Sequence, residues 1–221
     1  MSTGAPTAYP VTYDVELHLM DRNRLTCAFR IILAIPHAIL VGGPGLSIGF
    51  SVPVGGWNNG GWWWSFGASG VLGAVAWVMA IISWFAILFA NGHPKGLRDF
   101  TLMYLRWRSK AVAYMALLRD EYPPFGEGDY PVSFTAGEGP ATRDKLSVAL
   151  RIIYLIPHAV VLFFVGIAWV ITAIIGWFAI LFTGAYPEGL YRFAVGYLRW
   201  SLRVEAYGLL LYDEYPPFSL E

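Results

Sequence analysis

From Ile31 to Pro94, and again from Ile152 to Pro187, the chain contains no lysine, arginine, aspartate or glutamate. Water-facing surface of that length carries charge, so lipid is the expected neighbour of both stretches. Composition points the same way. Apolar residues make up 57% and charged residues 14% of the 221 positions, against about 45–50% and about 25% in ordinary soluble domains.

The two stretches belong to two copies of one unit. Arg30-Ile31-Ile32-Leu33-Ala34-Ile35-Pro36-His37 returns as Arg151-Ile152-Ile153-Tyr154-Leu155-Ile156-Pro157-His158, at a spacing of 121. Tyr9-Pro10-Val11 matches Tyr130-Pro131-Val132 at the same spacing. Trp84 to Phe125 matches Trp177 to Phe218 at a spacing of 93, with 24 of 42 positions identical. The first copy therefore holds a 28-residue insertion between its halves. The units divide as residues 1–125 and 126–221, with a Gly/Trp-rich insertion at 42–70.

Each unit opens with an extended segment. Val11, Tyr13, Val15, Leu17 and Leu19 alternate with polar residues, which predicts a half-buried strand. Tyr130 to Thr135 is a shorter version, and the two are expected to pair. Asp21 or Asn23 is placed to cap the next helix in copy one, and Thr142 or Asp144 in copy two.

The apolar stretch of copy two, Ile152 to Thr183, is 32 residues long. One crossing needs about 20 residues, so a hairpin turning near Gly166 is expected. The insertion of copy one falls at the corresponding place, as a loop between helices would. Its Trp62, Trp63 and Trp64 suit a membrane–water boundary. An amphipathic helix follows in each unit. Phe100, Trp107 and Tyr114, with Ala111 and Leu118, form a stripe matched by Phe193, Trp200, Tyr207, Val204 and Leu211. Directly after a membrane segment, such a helix is expected to lie in the interface plane. Pro94 and Pro187 sit at the helix starts, and Pro123-Pro124 and Pro216-Pro217 end the units.

The expected fold is thus an all-α integral membrane protein. It has two tandem helical hairpins (four hydrophobic segments), each followed by an interfacial amphipathic helix, with a small cytoplasmic β element. Arginines and lysines flank both apolar stretches and are absent from the insertion, which places both termini in the cytoplasm. Each unit then crosses an even number of times, and a pseudo-twofold axis along the membrane normal is expected. Met1 to Pro10 has neither the basic nor the apolar region of a secretory signal.

The pattern Arg-x-x-x-x-Ile-Pro-His, Trp-Phe-Ala-Ile-Leu-Phe, Pro-x-Gly-Leu, Leu-Arg-Trp and Tyr-Pro-Pro-Phe resembles an uncharacterised family of small bacterial membrane proteins, a domain of unknown function present in one or two copies. The resemblance covers nearly the whole chain outside the insertion. It implies a bacterial cytoplasmic (inner) membrane location and brings no activity with it.

Candidate chemistry centres on His37 and His158, each seven positions after Arg30 or Arg151. Ionisable groups inside a membrane are functional candidates by default. The imidazoles can ligate a shared haem, relay protons or line a polar path; the structural alternative is a hydrogen bond to a carbonyl or a tryptophan N–H. Arg30 and Arg151, and Arg106, Lys110, Arg199 and Arg203, can meet lipid phosphates or a partner. The structural alternative pairs them with Asp120-Glu121 and Asp213-Glu214, which otherwise read as a docking motif. Net charge is zero, so nothing points to nucleic acid. The lone Cys27 leaves no internal disulfide and no zinc cluster. No nucleotide loop, nucleophile elbow or metal-ligand motif occurs, so no catalytic residue is assigned. The expectation is a non-enzymatic accessory or scaffold subunit of a membrane complex or homo-oligomer. Lipid or small-solute binding and transport is the alternative, and a haem electron carrier a further one.

Overall fold

The computed structural model describes residues 9–45, 50–54, 62–66, 70–90, 92–140 and 142–221. Strand β1 (Val11–Val15) alternates buried and exposed residues, as its period-two pattern requires. It pairs antiparallel with β4 (Val132–Ala136), which confirms the expected pairing of the two extended segments. In this register Tyr13 lies opposite Phe134. These are equivalent positions of the two copies, so the pseudo-twofold axis passes through this pair, normal to the sheet.

Two short helices follow at equivalent places: α1 (Arg24–Ala28) and α5 (Lys145–Ala149). The Asn23 side chain accepts from the Leu25 and Thr26 N–H groups, and Asp144 accepts from Leu146 and Ser147. Of the two candidates in each copy, these are the caps.

The apolar stretches depart from expectation. Copy two has one unbroken helix, α6 (Arg151–Thr183), of 33 residues. There is no hairpin at Gly166. A single glycine costs a helix only about 1 kcal/mol relative to alanine, too little to break so long an apolar run. Its missing side chain instead admits the Tyr197 hydroxyl, which would lie 2.9 Å from a Cβ there. In copy one, α2 (Arg30–Val41, 12 residues) and α3 (Gly70–Ala90, 21 residues) together match the length of α6. The chain leaves at Gly42 and returns at Gly70, both at positive φ. A Cβ on Gly70 would stand 2.5 Å from the Gly42 nitrogen. Helix α3 therefore resumes where α2 stops, and the insertion loops out of one interrupted helix. The four hydrophobic segments expected reduce to two long rods, of which α3 and α6 are long and apolar enough to cross a membrane.

The insertion contains a backbone hairpin, β2 (Phe50–Val54) with β3 (Trp62–Phe66). The expected boundary role of the Trp62, Trp63 and Trp64 side chains lies outside the described residues.

Helices α4 (Lys95–Met115) and α7 (Glu188–Gly208) start after Pro94 and Pro187, as expected. They are not peripheral. From Ala194 to Gly208 nearly every residue of α7 is buried. The two helices pack on each other, on the sheet, and on the apolar rods, α4 against α2 and α3 and α7 against α6. Three layers result: the sheet, then α4 and α7, then the rods. The stripe residues Trp107 and Trp200 face the rods, while Arg199 and Arg203 face β1. The interfacial expectation fails because both sides of these helices are already covered.

The rods run antiparallel. Trp177 near the end of α6 donates to the Cys27 carbonyl of α1, and Trp84 near the end of α3 donates to Val148 of α5. The two units interlock in this way at both ends.

Candidate functional site

Equivalent knots of charge sit at the two ends of the molecule. In the first, Arg22 forks onto Asp120 through Nε (2.9 Å) and Nη2 (2.8 Å), and Arg30 Nη2 donates to the same carboxylate at 2.8 Å. The Asn23 N–H adds a fourth bond at 2.8 Å. Arg30 Nη1 donates to the Arg119 carbonyl at 2.6 Å, and its guanidinium lies 3.9 Å from the Tyr114 ring centroid. The second knot repeats this with Arg143, Arg151, Asp144 N–H, Asp213 and Tyr207. The carbonyls come free because Leu117 and Leu210, at φ 63°, end α4 and α7 in a left-handed turn. Burial opposes ionisation of Asp120, but the Arg22 hydrogen bonds, the Asn23 N–H and the two guanidinium charges outweigh it and hold the carboxyl at about 2. Asp213 is lowered for the same reasons.

The histidines close the units. Trp107 Nε1 donates to His37 Nδ1 and Trp200 Nε1 to His158 Nδ1, both at 3.2 Å. An indole donor needs a lone pair on Nδ1, so each imidazole is the neutral Nε2–H tautomer. Phe125 stacks on His37 at 4.5 Å and Phe218 on His158 at 4.0 Å, with Tyr122 and Tyr215 beside them. The Tyr-Pro-Pro-Phe turn is thereby clamped over the histidine. The structural alternative offered by the sequence, a tryptophan N–H on the ring, is what the molecule uses. Among the described residues the rings around His37 and those around His158 are different residues.

The remaining candidates are also engaged internally. Arg106 pairs with Glu127 at 3.0 Å, and Lys110 reaches the Gly128 carbonyl. Arg199 donates to Tyr13 at 2.7 Å and Leu220 at 3.1 Å, and Arg203 to Val11 at 3.3 Å. All four act on the sheet side, away from the apolar rods. Glu121 pairs with Arg119 at 2.7 Å, and the Glu214 carbonyl accepts from Tyr9. Asp120 and Asp213 thus serve as internal acceptors, while the Glu121 side chain is half exposed and Glu214 is exposed. Among the described residues no group of three or more His, Cys, Asp or Glu is placed to hold a metal.

Sequence reasoning passed over Arg108 and Glu205. Arg108 Nε donates to Glu205 at 2.8 Å, and its Nη atoms donate to the carbonyls of Val41 and Gly45, where α2 breaks off. Tyr104 OH donates to the other Glu205 oxygen at 3.0 Å. The available signal was a difference between copies: Ser201 and Val112 stand at the equivalent places. Arg22 and Arg143 stand in the sequence only as two of the arginines that flank the apolar stretches.

The sequence profile named Domain of unknown function (DUF4389) matches residues 65–126 and 145–219. The chain belongs to that family. One DUF4389 segment lies in each repeated unit, covering only part of it. The first begins at residue 65, after α2, because the insertion separates α2 from the rest of its unit. No curated protein and no solved structure matches the chain. The DUF4389 match brings a repeated architecture and no chemistry.

Proposed function

We propose that this protein is a membrane-seated structural subunit, which packs in a larger membrane complex or against its own copies and performs no reaction. One observation carries the reading. Arg30, Arg151, Asp120 and Asp213 bind one another or the backbone, and His37 and His158 accept from tryptophans, while the rods keep a large apolar face uncovered. Of the most apolar part of each rod, 28% of α3 and 17% of α6 is buried. The core helix of a soluble protein is mostly covered. A bacterial inner-membrane location is supported by the motif resemblance.

The test is purification of the full chain from native membranes in mild detergent, followed by crosslinking in the membrane and sedimentation. A defined oligomer or a stoichiometric membrane complex is expected. A monomer that crosslinks to nothing in its native membrane overturns the scaffold role.

A further inference from the structure

We infer that the two apolar rods lie flat in one leaflet of a lipid bilayer and do not cross it. This rests on the membrane residence proposed above and not on the scaffold role.

Trp169 stacks on Tyr197, ring centroids 5.3 Å apart, so the centre of α6 packs on the centre of α7. On another side of the same stretch of α7, Arg199 holds the Tyr13 carbonyl, on the pseudo-twofold axis at the centre of the sheet. The sheet therefore sits across α7 from the midpoint of α6. Its rim is charged: the side chains of Asp14 and Glu16 are 72% and 73% exposed. If α6 crossed a bilayer, these carboxylates would lie at the depth of the hydrocarbon core, where ionised side chains are costly. With the rods in the membrane plane, the same residues face water a full layer of helices away.

The outward face of the rods fits this placement. Phe163, Ile167, Ile171 and Phe178 on α6, and Ile82 and Phe85 on α3, are about half exposed. Each rod is about 50 Å long at 1.5 Å per residue. At a helix width of about 10 Å the pair presents on the order of 1,000 Å², against about 300–600 Å² for the largest apolar patch of an ordinary monomer. A protein partner would be met by a polar rim and hydrogen bonds. This face offers hydrocarbon: the hydroxyls of Thr172 and Thr183 turn back onto carbonyls of their own helix. The occupant is therefore lipid acyl chain.

The ends agree. Arg24 and Lys145 are equivalent residues, both exposed, at opposite ends of the rods: Arg24 beside Gly184 and Lys145 on the Leu88 carbonyl. In a flat rod both meet the headgroups of one leaflet. The pseudo-twofold axis then runs along the membrane normal, the orientation expected from the repeat, although no hairpin crosses.

The test uses the full chain with Cys27→Ala and single reporters Ile156→Cys, Ile167→Cys, Phe182→Cys and Asp14→Cys. Each is nitroxide-labelled and reconstituted in vesicles of phosphatidylcholine and phosphatidylglycerol at three to one. Depth is read from relaxation by oxygen against a water-soluble nickel chelate. Flat seating gives the three α6 positions the same shallow depth in one leaflet, and leaves Asp14→Cys in water. A crossing helix puts Ile167→Cys deepest, the two ends at opposite surfaces and Asp14→Cys in hydrocarbon; that overturns flat seating and leaves membrane residence intact. Labels that see no lipid, on protein that stays dimeric in buffer without detergent, overturn both.

Discussion

Arg108 of α4 and Glu205 of α7 form an ion pair at 2.8 Å in which both side chains are 1% exposed, and neither has a charged counterpart in the other unit. Ser201 and Val112 stand there instead. The asymmetry has a local cause. Where α2 stops, the Val41 carbonyl loses its helical donor, and Arg108 supplies a replacement and also holds the Gly45 carbonyl of the following loop. Glu205 then neutralises the guanidinium. Burial pushes the Glu205 carboxyl above its ordinary value, and Arg108 and Tyr104 pull it back. In α6 the helix continues past Leu162, no carbonyl is freed, and no charge is needed.

The pair and the insertion should therefore be coupled. Arg108→Ser or Glu205→Val alone is expected to cost about 3–5 kcal/mol, the usual consequence of leaving one buried charge unpaired. Deleting residues 42–69 joins Val41 to Gly70 and recreates a rod like α6. In that background the double change R108S/E205V, which copies the second unit, is expected to be neutral or stabilising. Chemical denaturation in detergent, followed by circular dichroism, measures both. A double change equally damaging with and without the insertion would break the link.

Acid should loosen both ends of the molecule together. The Asp120 carboxyl is held at about 2 in the fold and rises to about 3.9 in an unfolded chain. A depressed carboxyl contributes stability that is present above the unfolded value and is lost as pH falls through the folded one. The window is therefore pH 4 to 2, and the Asp120 contribution is on the order of 1–2 kcal/mol after allowance for solvent screening. Asp213 adds to it in the same direction. Asp120→Asn should lower stability at pH 7 and flatten the acid limb of a stability-against-pH curve. An unchanged acid limb in D120N/D213N would show that other groups set it.

How far the sequence reveals this fold depends on what each residue's partner is. The β1–β4 pairing, the Asn23 and Asp144 caps and the starts of α4 and α7 were all legible, because capping, strand alternation and proline placement are local. The repeat also made Asp120 and Asp213 visible as one feature. The layering was not legible. Arg199 and Arg203 read as meeting lipid phosphate or a partner, or as pairing with the Asp-Glu motifs, and only the packing of β1 shows that backbone carbonyls receive them. The length of Ile152 to Thr183 suggested two short crossings because a crossing was assumed; a rod in the membrane plane has no such limit on its length. Arg108 and Glu205 lie 97 positions apart, and nothing local connects them.

The histidine clamp predicts a specific pattern of damage. His37→Phe preserves the stacking with Phe125 but removes the acceptor for the Trp107 N–H, which leaves a buried donor unsatisfied. A loss of about 1–3 kcal/mol is expected. His37→Ala also removes the ring that Phe125 covers and should free the 122–125 turn, read as faster amide exchange there. The equivalent changes at His158 should act on 215–218 alone, since the two clamps share no ring contact among the described residues. Exchange that rises in both turns from one substitution would show that the sites are linked.

One contact is built differently in the two copies. On α6, Gly176 lies under the Tyr186 ring, and a Cβ there would fall 2.3 Å from the ring edge. Tyr186 is 2% exposed, so moving its ring disturbs the packing around it. In the first copy the equivalent residues are Ser83 and His93, joined by a hydrogen bond at 3.0 Å. The same space is thus filled either by a glycine with a large ring or by a serine with a smaller one. Gly176→Ser should clash and destabilise by about 1–3 kcal/mol, as overpacking does. Adding Tyr186→His removes the clash and restores the hydrogen bond found in the other unit, so the double variant should recover most of the loss. Thermal unfolding of the wild type, both single variants and the double variant reads the coupling directly. If the double variant is no more stable than Gly176→Ser alone, the two contacts are not interchangeable and the local equivalence of the units fails at this point.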